Sequence, residues 1–585
     1  MTCSLRSSTP IDGQLAFLAF QRNCLEDVDS QSAPVAIKRM EAPTPSSEQV
    51  PNAEADYQIG NNMSETNASI SRGESAVDVE AQPHINEAQP QHDPVPPKAR
   101  TAPRPTSQPL FSDDGRAVPE LAPKTEVDWP TSPMNPYNWP KSKRIYHTIM
   151  PALFALVVTF ASSIYISAVP EIQSVFHVSL PAALLPFSLF LLGLAFGPVL
   201  AAPLSERFGR TSTYLISMPL FMLFTLGAGY AQTFGGLVAC RLLAGLFASP
   251  PLVVGAGTNA DLWEPEVRAV MTTLFALCPY LGPALGPLIG GFAVAHKGWR
   301  WTQWIILFFA VMTFITALPM KETYKKTIMQ RHGKKVGAAP APGPAGLAAL
   351  KFLFYVTFLR PVQMLYSEPI VVAWSLYIGF AFAVLYSFFA AFPYVYFTVY
   401  GFSNEQIGLT FISIAIGSLL GSVSVILVDR LVYQKKAVEG KRSGKRVPPE
   451  QRLHAAMIGS VLLPIGLFWY GWTARESIHW LSSVISAVFI AWGNLCIFMS
   501  GILYLLDVYE ALMGASAVAA TSLLRYILAA AFPLFINDMY QNLGVGWATS
   551  TWGFVSIAMT PIPWVLYIWG PSLRAGGKLT VAGKA

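Results

Sequence analysis

The chain has 585 residues, 52% of them hydrophobic and only 13% charged, about half the charged share of an ordinary soluble protein. With a mean hydropathy of +0.41, this excludes a string of soluble domains and indicates a membrane protein. The net charge of +6 joins two unlike parts: residues 1–140 hold 10 Lys and Arg against 19 Asp and Glu, whereas the other 445 residues hold 30 against 15. The apolar body is the basic part, with its charges between apolar runs, so the pI of 8.9 does not point to nucleic acid.

Residues 1–140 carry 19 of the 46 prolines, and their apolar residues follow no period of 2 or 3.6. Such a segment buries too little surface to offset its ordering entropy and is read as a disordered acidic arm. The apolar stretch Leu15 to Phe20 is too short for a cleavable signal peptide. Asn62 and Asn67 match the glycosylation sequon, but the topology below puts them in the cytoplasm, where that chemistry is absent. Cys3 and Cys24 lie in the arm, while Cys240, Cys278 and Cys496 lie inside apolar spans. With no CxxC or Cys/His cluster, neither a disulfide framework nor a metal site is expected.

From Tyr146 onward, apolar runs of about twenty residues recur, the length an α-helix needs to cross ~30 Å of hydrocarbon. Twelve spans are predicted: 146–168, 182–202, 212–231, 234–257, 268–295, 302–320, 371–398, 405–428, 455–473, 478–504, 511–536 and 545–570. They form a bundle of six at 141–320 and another at 371–571, joined by a polar central loop at 321–370 and followed by a tail at 572–585. Between Leu347 and Leu365 the loop is too short and too charged to span, and is expected to lie on the inner surface as an amphipathic helix. Lys141, Lys143, Arg144, Arg207, Arg210, Arg268, the clusters at 321–360 and 430–452, Arg574 and Lys578 all fall on one side. Only Lys297, Arg300 and Arg475 fall on the other, so both termini are expected in the cytoplasm. Ser205-Glu206-Arg207 after the second span is echoed by Val428-Asp429-Arg430 after the eighth, as a duplication of six-helix halves would produce. The expected fold is thus all-α and integral to the membrane, with twelve helices in two pseudo-symmetric bundles.

Several positions stand out chemically. In the short turn after the second span, Glu206 is placed to pair with Arg210 or with a partner across the interface, and Gly209 permits a backbone conformation that other residues resist. Arg241 lies about seven residues, ~10 Å, inside the end of the fourth span; snorkelling to the surface and a buried functional role are both open readings. Arg525 is near midplane, beyond easy snorkelling, and is assigned to the cavity wall, with a tie to backbone carbonyls as the alternative. Gly282, Gly286 and Gly290 form a stripe that admits another helix, and Pro283 and Pro287 bend the span. Tyr377, Tyr386 and Phe392 are candidate cavity aromatics, with plain packing as their other reading.

Taken with Asn135 to Pro140, Pro203 to Arg210, Cys240 to Gly245, Ala260 to Pro265, Gly282 to Gly291, Gly298 to Trp301, Ser367 to Ile370, Asp507 to Tyr509 and Pro561 to Trp564, the chain resembles the major facilitator superfamily. Within it, the likeness is to the fungal twelve-span drug:proton antiporters, which include multidrug and polyamine exporters, and it covers about three quarters of the chain. The resemblance implies a cytoplasmic latch (Glu206, Arg207, Gly209, Arg210, Asp429, Arg430, Asp507), proton coupling near Arg241, and an antiporter motif at Gly282 to Gly291 that favours export. The expected latch glycine is replaced by Ala202, and a basic residue by Thr211.

None of the predicted spans holds Asp or Glu away from its ends, so the core charge is positive, from Arg241 and Arg525. Arginine does not release a proton at ordinary pH. A polycation is therefore a poor cargo, and a neutral or anionic organic molecule such as a drug or secondary metabolite fits better. The expected function is alternating-access export at the plasma membrane by a monomer, driven by a proton gradient and without a bound cofactor. Glu206, Asp507 or Glu171 would carry the proton. A sensor signalling through the arm and an uptake carrier are the alternatives. No Walker sequence, nucleophile elbow or acid/base cluster points to an enzyme.

Overall fold

The computed structural model describes residues 128–335, 354–444 and 447–576, all within the unit Pro109–Ala585. The expected arm up to residue 127 with Asn62 and Asn67, residues 336–353 of the central loop and the tail from 577 lie outside the described residues. The described chain is helical without strands. Eleven stretches are long and apolar enough to cross a bilayer. The first half contributes α1 (Lys141–Phe176), α2 (Leu180–Phe208), α3 (Arg210–Gly229), α4 (Phe234–Leu262), α5 (Pro265–Lys297) and α6 (Arg300–Ala317). The second contributes α7 (Pro369–Thr398), α8 (Asn404–Gly440), α9 (His454–Thr473), α10 (Trp480–Tyr509) and the 64-residue stretch Met513–Gly576.

That last stretch crosses twice. Phe532 and Trp552 stack with ring centroids 4.8 Å apart, although twenty residues of straight helix would separate them by ~30 Å. The reversal is at Gly544, whose φ of 74° is one that residues with a Cβ resist. The stretch is therefore two helices, α11 (513–543) and α12 (545–576), and the passes among the described residues number twelve. The apolar side chains that α3, α6 and α8 leave exposed, among them Ile216, Leu223, Phe308, Ile315, Val423 and Leu427, face where hydrocarbon would be.

The glycine stripe of α5 sets the closest helix contact. A Cβ on Gly282 would lie 2.7 Å from Phe160 N, on Gly286 2.7 Å from Ile164 N, and on Gly290 2.8 Å from Ile164 O, all backbone atoms of α1. Ser163 and Ser167 of α1 donate hydroxyl bonds to Gly282 O and Pro287 O of α5 at 3.4 and 3.3 Å. One turn away the same helix meets the other half: Gly291 lies against Asn404, and Gly408 of α8 against Pro287 O. The α5 run with Pro283 and Pro287 is thus a seam between α1 and α8.

One segment differs from expectation. Residues 128–140, counted with the disordered arm, pack on the first bundle: Asn135 caps the turn Pro136–Asn138, Tyr137 Oη donates to Ala260 O at 3.0 Å, and Trp139 is buried with Leu262 and Trp263. The apolar area of Trp139 holds this piece down where the preceding Pro-rich chain has nothing comparable. Around the expected surface helix, the described residues form a turn at Tyr355–Leu359 running into Arg360–Ser367. Phe354, Tyr355, Leu359 and Tyr366 are exposed there, and Met364 is buried.

Substituting Gly286→Ala drives a methyl into rigid α1 backbone and is expected to cost about 2 kcal/mol, whereas Gly235→Ala, which meets nothing within 4 Å, leaves stability within about 1 kcal/mol. Thermal unfolding of the purified protein in detergent measures both.

Candidate functional site

The helix ends at which α1, α3, α5, α7 and α9 begin make up one face of the bundle, and that face is basic. Here α2 ends at Phe208, and Gly209, with φ of 99°, turns the chain directly into α3. The first amides of α3 have no intrahelical acceptor, and the carboxylate of Glu322 takes them. Arg210 N donates to its Oε1 at 2.8 Å and Thr211 N to its Oε2 at 3.3 Å, an anion at the positive end of a helix dipole. A Cβ on Gly209 would sit 2.1 Å from Glu322 Oε2, so the turn excludes any side chain. The Arg210 guanidinium reaches Asp261 at the end of α4, Nε to Oδ2 at 3.2 Å, and donates to Ser205 Oγ at 3.0 Å.

The second half builds the counterpart around Arg452, immediately before α9. Its Nε pairs with Asp507 Oδ2 of α10 at 2.9 Å, its Nη1 bonds Asp429 Oδ1 of α8, and its guanidinium lies 3.3 Å over the Tyr433 ring. Burial pulls its proton affinity down, but Asp507, Tyr433 and Asp429 outweigh that, and its pKa is raised above arginine's ordinary value. Glu450 beside it accepts from Arg574 of α12 at 2.9 and 3.2 Å.

The repeat between halves is therefore carried by different residues from those the sequence suggested. Arg210 with Asp261 and Arg452 with Asp507 occupy matching places, an arginine starting the third helix and an aspartate ending the fourth. Of the expected latch, Gly209, Arg210, Asp429 and Asp507 are in these clusters; Glu206, Arg207 and Arg430 are exposed. Asp429 bonds Arg452 rather than its neighbour Arg430, because adjacent residues on a helix do not face each other. Asp261, Glu322, Glu450 and Arg452 were missed as members. Asp261 and Arg452 were detectable only by aligning the two halves helix by helix, and Glu322 by no local signal.

At mid-depth, Arg241 is 1% exposed, so it does not snorkel. Its Nη1 and Nη2 each donate to Ala161 O at 3.0 Å, and Phe190 lies 4.5 Å from the guanidinium. These carbonyls of α1 precede the tighter turn Ile164–Ala168, reached through hydroxyl-rich chain in which Thr159 and Ser162 bond back to Ala155 O and Thr159 O and so favour a bend. Arg525, 8% exposed, donates to no backbone carbonyl among the described residues and is not in the lining of the main cavity. The rings of Phe382, Phe498 and Tyr526 surround it at 4.5, 4.7 and 4.5 Å, and its Nε has no hydrogen-bond partner among the described residues. Beside this cage Tyr280 Oη donates to Asn494 Oδ1 at 2.9 Å, a bond between the halves.

A cavity of about 460 Å³ opens toward the opposite face, between the ends of α1, α2, α7, α8 and α11. Its lining is apolar and aromatic, with Phe389, Tyr394, Phe397 and Phe402, and its polar side chains, Gln173, Ser403, Asn404 and Asn537, are all uncharged. Asn537 is 7% exposed, and its Oδ1 has no partner among the described residues. None of the five sequence candidates lines this space. Tyr386 lies under it, packed on Phe389 at 5.2 Å and on Phe187 of α2 at 6.2 Å. Phe392 is wedged between Phe411 and Tyr470, and Tyr377 stacks on Trp374 within the second bundle. A helix buried nearly all round gives no periodicity by which to tell cavity wall from packing face.

Twelve passes in two matched halves, with a cavity between them, are joined by a direct match. The family model described as Major Facilitator Superfamily matches residues 152–533. The chain belongs to the major facilitator superfamily. Polyamine transporter 4 of Saccharomyces cerevisiae is 40% identical over 480 residues, 77% of this chain and 72% of that protein. Efflux pump radE of Floropilus chiversii is 34% identical over 482 residues, 80% and 89% of the two chains. The solved proton:xylose symporter XylE bound to 6-bromo-6-deoxy-D-glucose superposes with a TM-score of 0.55 at 17% identity, covering 73% of this chain and 96% of that one, a likeness of fold. This major facilitator protein is thus a membrane transporter rather than an enzyme.

Replacing Arg452 by Met strands Asp429, buried to 5% side-chain exposure, and is expected to cost about 3 kcal/mol. Arg452→Lys keeps the charge but not the two-way fork and is expected to cost about 1 kcal/mol. Paired melting curves in detergent test the order.

Proposed function

We propose that this transporter exports a small neutral or anionic organic molecule, a drug or secondary metabolite, by alternating access of its two bundles, with proton antiport as the driving force. The observation that carries the reading is the charge of the interior. The cavity between the halves has no charged side chain in its lining, and among the described residues the charges buried at mid-depth are the arginines Arg241 and Arg525. A polycation would enter with no carboxylate to replace its water, at a cost of several kcal/mol. An apolar molecule with a few hydrogen-bonding groups suits a wall of aromatic rings and amides. The unpartnered Asn537 Oδ1 offers an acceptor to a hydroxyl or amine N–H of such a cargo. In this reading the basic face is cytoplasmic, as the positive-inside rule requires, the protein works as a monomer in the plasma membrane, and Glu206, Asp507 or Glu171 accepts the coupling proton. The glycine seam between α1, α5 and α8 supports the antiporter assignment and hence the outward direction.

A second reading, polyamine cargo, draws on the printed name of the 40% identical yeast relative. Purified protein in proteoliposomes with an imposed pH gradient separates the two. Uncharged or monoanionic aromatic cargoes are expected to move, and Asn537→Leu to raise their KM about tenfold, the loss of one buried hydrogen bond. Efficient spermidine movement, or flux indifferent to the gradient, overturns cargo and coupling respectively. Removing residues 1–127 is expected to leave flux intact; loss of a signal with flux unchanged would identify a sensor.

A further inference from the structure

A buried histidine adjoins the Arg210 cluster and takes no part in the contacts above. His147, in the second turn of α1, is 2% exposed. Its Nδ1 lies 2.8 Å from the carbonyl oxygen of Lys143 and its Nε2 2.9 Å from the backbone nitrogen of Lys321. A carbonyl only accepts and an amide only donates, so the partners themselves assign the ring: the proton is on Nδ1, and Nε2 is the acceptor. The docked ring is therefore neutral.

The bond reaches the Arg210 cluster through one residue. Lys321 is gripped on both sides of its backbone, its N–H by His147 and its carbonyl by the Thr211 hydroxyl at 3.0 Å. The residue after it is Glu322, whose carboxylate caps α3 beside the Arg210–Asp261 pair. Around the imidazole, Trp139 and Tyr146 pack edge-on at 4.9 and 5.1 Å, and the Lys143 ammonium sits 3.4 Å over Trp139. The charged or titratable groups facing it are Lys143 and Tyr146 from α1 and Lys321 from the segment after α6. The piece 128–140 brings only Trp139, the corner between α4 and α5 brings Trp263 on Thr148, and Glu322 turns its carboxylate away to α3. A second proton on this ring would thus meet an amide N–H and two ammonium groups.

We propose that His147 is a proton-operated positioning residue for the Arg210 cluster at the basic face: a proton on Nε2 expels the Lys321 amide and withdraws Glu322 from the start of α3. The docked arrangement excludes that proton and the undocked one accepts it, so docking is complete at high pH and is lost as the pH at this face falls. The device rests on the latch role that the resemblance implies for Gly209 and Arg210 and is independent of the cargo.

The test is hydrogen–deuterium exchange on the full chain in lipid nanodiscs between about pH 8 and about pH 5.5, a range bracketing imidazole titration, corrected for intrinsic rates. Peptides covering 209–214 and 318–325 are expected to lose about tenfold in protection as the pH falls, while those around Arg452 do not. His147→Gln carries an uncharged acceptor to the Nε2 position and is expected to remove the pH step with protection retained. Lys321→Pro, which deletes the donor, is expected to remove the step with protection lost. A flat wild-type profile overturns the proposal even if neither variant folds, as does a wild-type step that survives in either variant. Flux is not read, so a flat profile in a protein that transports discards the proton device alone, and a step in a protein that moves no tested cargo retains it.

Discussion

Hydrocarbon offers an ionised side chain neither water nor counterions, and the buried charges of this transporter are arranged around that constraint. At the basic face it is met by pairing: Arg210 with Asp261 in one half, Arg452 with Asp429 and Asp507 in the other. At mid-depth, where no carboxylate is at hand among the described residues, it is met by dipoles and ring faces. Arg241 draws on carbonyls of α1 at the tightened turn, and Arg525 on the negative faces of three aromatic rings. The strength of each solution differs, and so does its mobility. A fork on two carboxylates locks helix ends together, whereas a cation among rings is held without directional bonds.

That difference orders the molecule from one face to the other. The charge clusters tie α2 to α3 and α4, and α8 to α9 and α10, each within its own half. Contacts between the halves are of another kind: the glycine seam of α5 against α8, the Phe187–Tyr386–Phe389 packing, and a few separate polar contacts, Tyr280 to Asn494, Asn404 Nδ2 to Ser167 O at 3.0 Å and His296 to Glu405 at 3.5 Å. Two internally braced bundles with an apolar, small-residue seam form the arrangement that rocking requires, because sliding along such a seam breaks few directional interactions. The cavity lies over this seam, and the tyrosine and phenylalanine layer beneath it separates it from the Arg525 cage.

How much of this was legible beforehand varies with the range of the interaction. Twelve spans, the division after the sixth and the polarity of the loops were readable because each depends on local composition. The glycine stripe was readable because its spacing repeats every helical turn, and α1 proved to be the helix it admits. The charge clusters of the basic face were readable in part. Gly209 and Arg210 stood out in their turn, but Glu322 joins them from 112 residues away along the chain, and the repeat lay in Arg210 and Arg452, not in the acid-arginine dipeptides. The cavity wall was least legible: Tyr377, Tyr386 and Phe392 look no different in sequence from Phe389 and Phe397 on the same helix.

By itself the sequence determined that the chain crosses a bilayer twelve times in two halves, that its cation-rich loops share one face, and that the membrane interior holds arginine without aspartate or glutamate. Those follow from the transfer cost of each residue type, which needs no partner to be known. Which acid holds which arginine, which aromatic faces space and which faces its neighbours, and that His147 accepts from Lys321 were decided by tertiary structure alone. A salt bridge, a cavity wall and a tautomer are properties of pairs, and only the packing of helices distant in sequence chooses the pair.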